Sequence, residues 1–329
     1  MSNPCQLVRD TCASVLENST SPLVVIDVDS INRLAQQAPL DQLCSPKAFD
    51  HDIHYVGDPE LTVQYLLCVD TLNFCFWPTD GALEYDHLAR GIKNSVLHDP
   101  HCIDADALST ANEQTVRSLM RWTSSTNGTP IPLITERARL LREVGAVLLE
   151  NFGGKAINIV KNANNSAVSL VSLIVQHFPG FGDHCIHPAT GQQIFLYKRA
   201  QIFVGDVYGA FQGTGIGNFH DIDELTMFAD YRVPAVLREL SILRYCDAAL
   251  ERKIDSKETI APGSVEEIEI RAATVMAVEK LKAEIVHGRQ EDSIKSPILS
   301  VCIDWWLWEM GERDKDTHRP HHRVMTIYY

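Results

Sequence analysis

The stretch that organises this chain is GTGIGNFHDIDELTMFADYRVP, residues 213–234. Its alternating glycines predict a loop, followed by a short helix that ends at residues 228–232. Pro234 then starts the next helix. An acid, two aromatic residues and a base therefore crowd into one junction beside a helix N-terminus. Because a helix dipole favours an ionised carboxylate there, Asp230 is the leading candidate for a residue that acts on a ligand.

Composition and charge limit the class of protein. The chain has 329 residues, of which 45% are hydrophobic, 22% charged and 8% aromatic, as is typical of a globular protein. The net charge of −14 disfavours a protein that binds duplex nucleic acid, since that function needs a basic face. A small phosphorylated ligand stays compatible with this charge.

Cysteine usage predicts a reducing compartment. The nine cysteines are odd in number and include no CxxC pair, so reduced thiols and a cytoplasmic location are expected. The N-terminus, MSNPCQLVRDTC, lacks the apolar segment of a secretory signal. No apolar run is long enough for a membrane span, so no membrane partner is expected.

Hydrophobic periodicity predicts a mainly α, multi-helix single domain covering residues 1–329, with residues 1–60 the least certain part. We expect about ten helices and at most one or two weak strands, one of them within residues 22–28. The polar stretch 123–132 is the best loop, but composition does not change across it. The predicted helices beyond the first sixty residues include 85–97, 110–122, 133–152, 167–178, 194–211, 234–250, 264–287 and one starting at 296–297.

Two capping boxes are predicted from the Ser/Thr-x-x-Glu pattern. One would run from Thr110 to Glu113, and the other from Ser264 to Glu267. In addition, Asp58 before Pro59 predicts a helix start.

An aromatic cluster closes the predicted helix that begins after Asp58. Residues 73–78, NFCFWP, hold three aromatic residues within four positions and end in proline. Such a cluster fits a plug in the core at a helix end. The functional alternative is a stacking wall for a planar ligand, to which Asn73 and Trp77 would contribute.

Asp304 is unusual because it lies among Ile303, Trp305 and Trp306 on a predicted helix of low polarity. A buried acid costs free energy unless it is paired. With Glu309 it would edge an aromatic platform, as suits the donor edge of a guanine-like ring, since carboxylates only accept hydrogen bonds. The structural alternative is an acid that caps or salt-bridges a neighbouring helix.

Asp230 also has two interpretations. At the junction between two helices, after a glycine-containing hairpin, it lies where helix-hairpin-helix glycosylases place their essential aspartate. An ionised carboxylate there could stabilise an oxocarbenium-like transition state, activate water or attack directly. The simpler alternative is a helix N-cap, a common role for aspartate.

Other chemistries find little support. The segment GTGIGNF lacks dinucleotide-loop spacing and a βαβ context, and neither a Walker A loop nor a GxSxG elbow occurs. His318, His321 and His322 could suggest a metal, but no second ligand pair has suitable spacing.

The chain resembles the queuosine salvage family, the queuosine 5′-phosphate N-glycosylase/hydrolases. The resemblance runs from about residue 61 to the end and rests on motifs in the family's order. These motifs are NFCFWP (73–78), YKRAQI (197–202), LTMFADYRVP (225–234), EIEIRA (267–272), IDWWLW (303–308), and HR (322–323) with IYY (327–329). Two departures are Ala235, where the family usually has glutamine, and altered residues around 318–323.

The resemblance implies a mostly helical fold related to helix-hairpin-helix DNA glycosylases. It implies hydrolysis of the N-glycosidic bond of queuosine 5′-phosphate to release queuine, a 7-deazaguanine base, without metal or organic cofactor. Asp230 matches the family's catalytic aspartate, and Lys198 and Arg232 are candidates for the 5′-phosphate by charge and motif position. The other expected substrate-binding residues are Phe228, Tyr231, Asp304, Trp305, Glu309, Asn73 and Trp77.

Two alternatives from other classes stay open. One is a non-catalytic protein that binds queuine or a related 7-deazaguanine. The other is a DNA glycosylase-like base-excision enzyme, which the acidic charge disfavours.

Overall fold

The computed structural model describes residues 2–46, 50–79, 81–122, 129–288 and 296–329. These ranges are mainly helical, as predicted. Their α-helices are α1 (Pro4–Asn18), α2 (Val28–Ala35), α3 (Pro59–Leu72), α4 (Tyr85–His98), α5 (Ala105–Ser109), α6 (Glu113–Leu119), α7 (Ile134–Asn151), α8 (Ala156–Asn162), α9 (Ala167–His177), α10 (Lys198–Ala210), α11 (Arg232–Glu239), α12 (Ala248–Asp255), α13 (Val265–His287) and α14 (Ser300–Arg313).

Six short strands form three two-stranded sheets within the described ranges. The strand β1 (Val24–Ile26) pairs antiparallel with β4 (Leu243–Tyr245), and β2 (His184–Ile186) pairs antiparallel with β3 (Gln193–Phe195). The parallel pair is β5 (Thr259–Ile260) with β6 (Arg323–Val324). The strand expected within residues 22–28 is confirmed, whereas the others were not predicted.

The chain divides into two compact units. The first comprises residues 1–47, 183–201 and 221–325, and the second comprises residues 48–182, 202–220 and 326–329. The stretch 213–234 is thus shared, because its glycine-rich part belongs to the second unit and its FADYR part to the first. Whether the chain behaves as the predicted single domain, and whether it shares the helix-hairpin-helix architecture, stay predictions.

In the first unit, α13 is the central helix. It contacts α1, α2, α11, α14 and β1, and thirteen of its residues are buried. Ser264 begins α13 by accepting from the Glu267 backbone N–H at 3.3 Å, while the Glu267 carboxylate accepts from the Gly263 N–H at 2.6 Å. The predicted cap at Ser264 is therefore confirmed, with Glu267 reaching one residue further back than in a capping box.

In the second unit, α3 is almost wholly buried and contacts α4, α7 and α8. Asp58 caps it as predicted, accepting from the Leu61 N–H at 3.0 Å. After α3, Arg137 fastens the turn that follows: its guanidinium donates to the carbonyls of Leu72, Phe74 and Cys75 and lies 4.3 Å from the Phe74 ring centroid. The aromatic cluster is thereby tied to α7.

Four predicted helices were wrong in part, and the helix predicted over 110–122 is only α6, Glu113–Leu119. Residues 194–195 are in β3, because Tyr197 has a φ of +50° and α10 begins only after it. The predicted helix 234–250 is α11, β4 and α12, since Ser241 adopts a φ of +58° and Asp247 caps α12. The last helix begins at Ser300 rather than at 296–297.

The predicted capping box at Thr110 was also wrong. Asn112 and Thr115 form the reciprocal box at the start of α6, and the Thr110 hydroxyl donates back to the Ala107 carbonyl at 3.2 Å. The predicted loop 123–132 lies outside the described residues over 123–128.

Candidate active site

The segment between residues 225 and 230 positions the leading candidate, and it is not the helix that was predicted. Two of its backbone N–H groups bond to side chains, while the Asp230 N–H donates to the Phe228 carbonyl at 2.6 Å. The Thr226 N–H donates to the Gln201 side chain at 2.9 Å, and the Phe228 N–H donates to Asp304 Oδ1 at 2.9 Å. Because these partners satisfy buried N–H groups, the non-helical conformation costs little, and a one-turn 3-10 helix at Ile222–Glu224 precedes it.

Asp230 lies at the end of this segment and is 8% exposed. Its Oδ1 accepts from the backbone N–H groups of Arg232 and Val233, each at 3.0 Å, at the start of α11. The capping role is therefore real. In the part of the chain that the structure describes, Oδ2 makes no hydrogen bond, so one oxygen caps the helix and the other is available for chemistry.

The charge state of Asp230 reflects opposing influences. Burial raises the pKa of its carboxyl group above the ordinary value of 3.8. The positive charge of Lys198, the N–H groups of Val233 and Arg232 and the Arg232 charge act in the opposite direction. Lys198 is buried at the first position of α10, and its positive charge is the largest influence that lowers the pKa of the Asp230 carboxyl group.

Arg232 and Tyr231 form a second group beside Asp230. Arg232 Nε donates to Glu312 Oε1 at 2.7 Å, and its guanidinium carbon lies 5.3 Å from the Tyr231 ring centroid. Within the described residues, the two Nη nitrogens of Arg232 make no hydrogen bond. These nitrogens are thus compatible with a phosphate.

His321 packs on the Tyr231 ring, with centroids 4.6 Å apart. Burial lowers the pKa of His321 to about 3, and its Nδ1 contacts the His322 carbonyl at 2.7 Å. The ring is therefore neutral near pH 7 and donates that hydrogen bond. Among the described residues no three metal-ligating side chains come together.

Asp304, Trp305 and Glu309 all lie on α14, as the sequence predicted. Asp304 is 4% exposed, and its Oδ1 accepts a hydrogen bond from the Phe228 N–H. This contact is a structural role, which is the alternative to recognition of the base. Trp305 and Glu309 are half-buried. Phe228, Asp230, Tyr231, Arg232, Lys198 and the three α14 residues all belong to the first unit.

Asn73 and Trp77 belong to the second unit. Both are buried; Asn73 ends α3, and Trp77 lies 6.4 Å from Tyr329, ring centroid to ring centroid. Their contribution to substrate binding stays a prediction.

Two residues that contact the segments carrying Asp230 and Lys198 were not predicted from the sequence. Arg271 on α13 donates from Nε to the Ala229 carbonyl at 2.9 Å, and Asp183 accepts from the Lys198 backbone N–H at 3.1 Å. Arg271 lies in the motif EIEIRA, which signalled similarity but no role. Asp183 follows Gly182 in a loop and carried no signal of its own.

Together, these features define a helical protein with a buried, helix-capping aspartate and a lysine counter-charge at its site. Comparison with known protein families identifies the family to which the chain belongs. Residues 53–329 match the family model described as queuosine salvage protein, and the chain belongs to that family.

Curated relatives named queuosine 5′-phosphate N-glycosylase/hydrolase are similar over most of the chain. The protein from Dictyostelium discoideum is 48% identical over 82% of this chain and 79% of its own. The Sphaerobacter thermophilus protein is 37% identical over 98% of this chain and 97% of its own. The Bos taurus protein is 32% identical, with 98% of each chain covered.

Proposed function

We propose that this protein is a hydrolase of N-glycosyl bonds that cleaves queuosine 5′-phosphate and releases queuine for salvage into tRNA. Water adds to the anomeric carbon of the sugar, the bond from that carbon to the base nitrogen breaks, and the base leaves with a proton. The support is membership of the family, the names of its relatives and the geometry at Asp230.

The proposal rests on the different contacts of the two carboxylate oxygens of Asp230. Oδ1 is held by two backbone N–H groups, which fixes the rotamer of the side chain. Oδ2 makes no hydrogen bond in the described part of the chain and is the oxygen assigned to the substrate. A preorganised negative charge of this kind stabilises a sugar cation without further reorganisation.

The leaving base makes such a charge necessary. A 7-deaza base lacks the ring nitrogen that purine-releasing enzymes usually protonate, so acid catalysis cannot act at that position. Catalysis then depends on stabilising the developing oxocarbenium ion and on hydrogen bonds to the departing base. We assign the first task to Asp230 and the second to Asp304 with Glu309.

The remaining candidates complete the proposed substrate site. Phe228 and Trp305 would line the base, Tyr231 would contact the nucleotide, and Lys198 and Arg232 would balance the 5′-phosphate. Asn73 and Trp77, in the second unit, are the other candidates for contact with the substrate. We place the protein in the cytoplasm, with a small-molecule substrate and without duplex nucleic acid, metal or organic cofactor. No described helix combines the length and apolar character that a membrane span requires.

The test is product release. Purified protein incubated with queuosine 5′-phosphate should yield free queuine, detected by mass spectrometry. Asp230→Asn should lose at least about a hundredfold of kcat, because the neutral amide cannot stabilise the cation, while its circular dichroism spectrum stays that of the wild type. Full turnover by Asp230→Asn contradicts the assignment.

Queuine-binding and DNA-binding measurements beside this assay address the two alternatives. A non-catalytic binding protein would show saturable queuine binding but no product after long incubation. A base-excision enzyme would bind labelled duplex DNA in a salt-dependent manner and cleave a base from it.

A further inference from the structure

One buried ion pair joins the two segments that carry Asp230 and Lys198. Arg271 Nη1 and Nη2 donate to Asp183 Oδ1 and Oδ2 at 3.0 and 2.6 Å, a bidentate pair in which each residue is only 2% exposed. The third guanidinium nitrogen of Arg271, Nε, donates to the Ala229 carbonyl, which belongs to the residue preceding Asp230.

Asp183 binds the other segment with both its side chain and its backbone. Its Oδ2 accepts from the Lys198 N–H at 3.1 Å, and its carbonyl accepts from the N–H groups of Leu196 and Tyr197, each at 3.0 Å. It therefore fixes the turn that leads into α10, including Tyr197 with its left-handed φ of +50°.

We propose that Asp183 and Arg271 are positioning residues for the reaction, which set Asp230 and Lys198 at the separation that the site needs. The pair forms a continuous path from the Ala229 carbonyl through the guanidinium and the carboxylate to the Lys198 N–H. The inference rests on the proposed function of Asp230.

Energetics favour a positional rather than a merely stabilising role. Desolvation largely cancels the attraction within a buried ion pair, so such a pair adds little net stability. What a bidentate pair does supply is direction, because the planar guanidinium fixes two hydrogen bonds at once. Here the fork orients Asp183, which accepts from the Lys198 N–H, and the Nε of the same guanidinium is directed at the Ala229 carbonyl.

The helix beneath the pair is itself fixed. Arg271 lies one turn after Glu267, whose Oε1 is 3.7 Å from Arg271 Nη1 and whose Oε2 accepts from the Gly263 N–H. The Glu267 carboxylate thus lies on one side of the Arg271 guanidinium, and Ala229 and Asp183 accept its hydrogen bonds on the other.

The test compares two arginine-to-lysine variants in the same unit. Arg271→Lys keeps a positive charge beside Asp183 but loses the fork and the Nε donor. The matched control is Arg238→Lys: Arg238 is 3% exposed and bidentate to Asp255 at 2.6 and 3.1 Å, but its guanidinium does not contact Ala229 or Lys198. Melting temperatures report the structural cost of each substitution.

The expected result is a split between kcat and KM. Because a misplacement of about 1 Å costs about a hundredfold in rate, kcat of Arg271→Lys should fall by about ten- to a hundredfold. KM should change by a smaller factor than kcat, and Arg238→Lys should keep the wild-type kcat at a similar loss of melting temperature. Wild-type kcat in folded Arg271→Lys, or an equal loss in both variants, overturns the proposal.

If Arg271→Lys does not fold, Asp183→Asn decides. The amide is nearly isosteric and can still accept from the Lys198 N–H, but it no longer forms a charged fork with Arg271. The same loss of kcat is expected, and an unchanged kcat overturns the proposal. Failure of the proposed function is distinct, because wild-type protein would then release no queuine in the same assay.

Discussion

The backbone N–H of Phe228 donates to Oδ1 of Asp304 at 2.9 Å, so the acid of the tryptophan-rich helix holds the segment that ends in Asp230. Two roles are therefore assigned to the Asp304 side chain. It satisfies a buried backbone donor, and it is the proposed acceptor for the base.

Two substitutions of Asp304 separate these roles. Asp304→Asn keeps an oxygen acceptor for Phe228, so its free energy of unfolding should stay within about 1 kcal/mol of the wild type. Asp304→Ala leaves the N–H of Phe228 buried without that acceptor and should lose about 1–3 kcal/mol, as measured by urea denaturation. Equal stability of Asp304→Ala and the wild type would argue against the structural role.

Binding of queuine by Asp304→Asn tests the other role. A charged hydrogen bond contributes about 1.5–3 kcal/mol, so calorimetry should show queuine affinity reduced by about ten- to a hundredfold. Wild-type affinity would remove Asp304 from the base site.

Substitution of Asp230 should reveal a stability cost of the site. Asp230→Asn retains the oxygen that caps α11, and asparagine caps helices about as well as aspartate. It removes a charge whose burial raises the pKa. Asp230→Asn should therefore be at least as stable as the wild type at pH 7, whereas Asp230→Ala loses the cap and about 1 kcal/mol.

The pH dependence of this difference has a fixed sign. A carboxyl group whose pKa is raised in the folded state stabilises the fold when protonated, and that stability is lost as pH rises through the folded pKa. At pH 7 the wild type lacks this stabilisation, because Asp230 is ionised. The excess of unfolding free energy of Asp230→Asn over the wild type should therefore shrink as pH falls towards 3.8. A difference in unfolding free energy that grows on acidification would contradict the raised pKa.

Arg232 permits a test of phosphate recognition. Arg232→Gln removes the charge but keeps the backbone N–H that holds Asp230, and Glu312 still has Lys315 Nζ at 3.3 Å. If the Nη nitrogens bind the 5′-phosphate, kcat/KM for the nucleotide should fall about ten- to a hundredfold. The nucleoside serves as the control substrate, and an equal loss on both substrates would assign Arg232 to another role.

The helical fold class was predicted from the hydrophobic periodicity. The helix boundaries that were predicted wrongly depend on contacts that this periodicity does not encode. The helix 133–152 was predicted because its apolar stripe is local, and α7 confirms it. The failed helix 234–250 contains β4, whose partner β1 lies more than two hundred residues earlier. Pairing over such a separation leaves no periodic signal, and Ser241 in a left-handed conformation has no residue-type signature.

The candidate site shows the same division. Asp230 was predicted both as a cap and as a catalytic group, and the structure shows that the cap uses only Oδ1. Asp183 could not be predicted, because its importance comes from contacts to residues 196–198 and 271 rather than from its neighbours in sequence. A lone aspartate after glycine is ordinary loop sequence.

At Gly311, α14 packs tightly against α11, and this contact supports a final prediction. A Cβ at this position would lie 2.6 Å from Val236 Cγ2 and 2.8 Å from Arg232 Cδ. Alanine gains about 0.5–1 kcal/mol over glycine within a helix, but overpacking costs about 1–3 kcal/mol. Because Val236 is β-branched and stiff, the clash should prevail, and Gly311→Ala should be less stable by about 1 kcal/mol and raise KM by displacing Arg232.

A double-mutant cycle identifies the cause. Val236→Ala removes the methyl group that the new Cβ would meet, so Gly311→Ala should cost less in the Val236→Ala background than in the wild type, with a coupling of at least about 0.5 kcal/mol. Urea denaturation of the four proteins measures this coupling. Strict additivity of the two changes in unfolding free energy would show that the clash with Val236 is not the source of the destabilisation, and that the two helices adjust around the added methyl group.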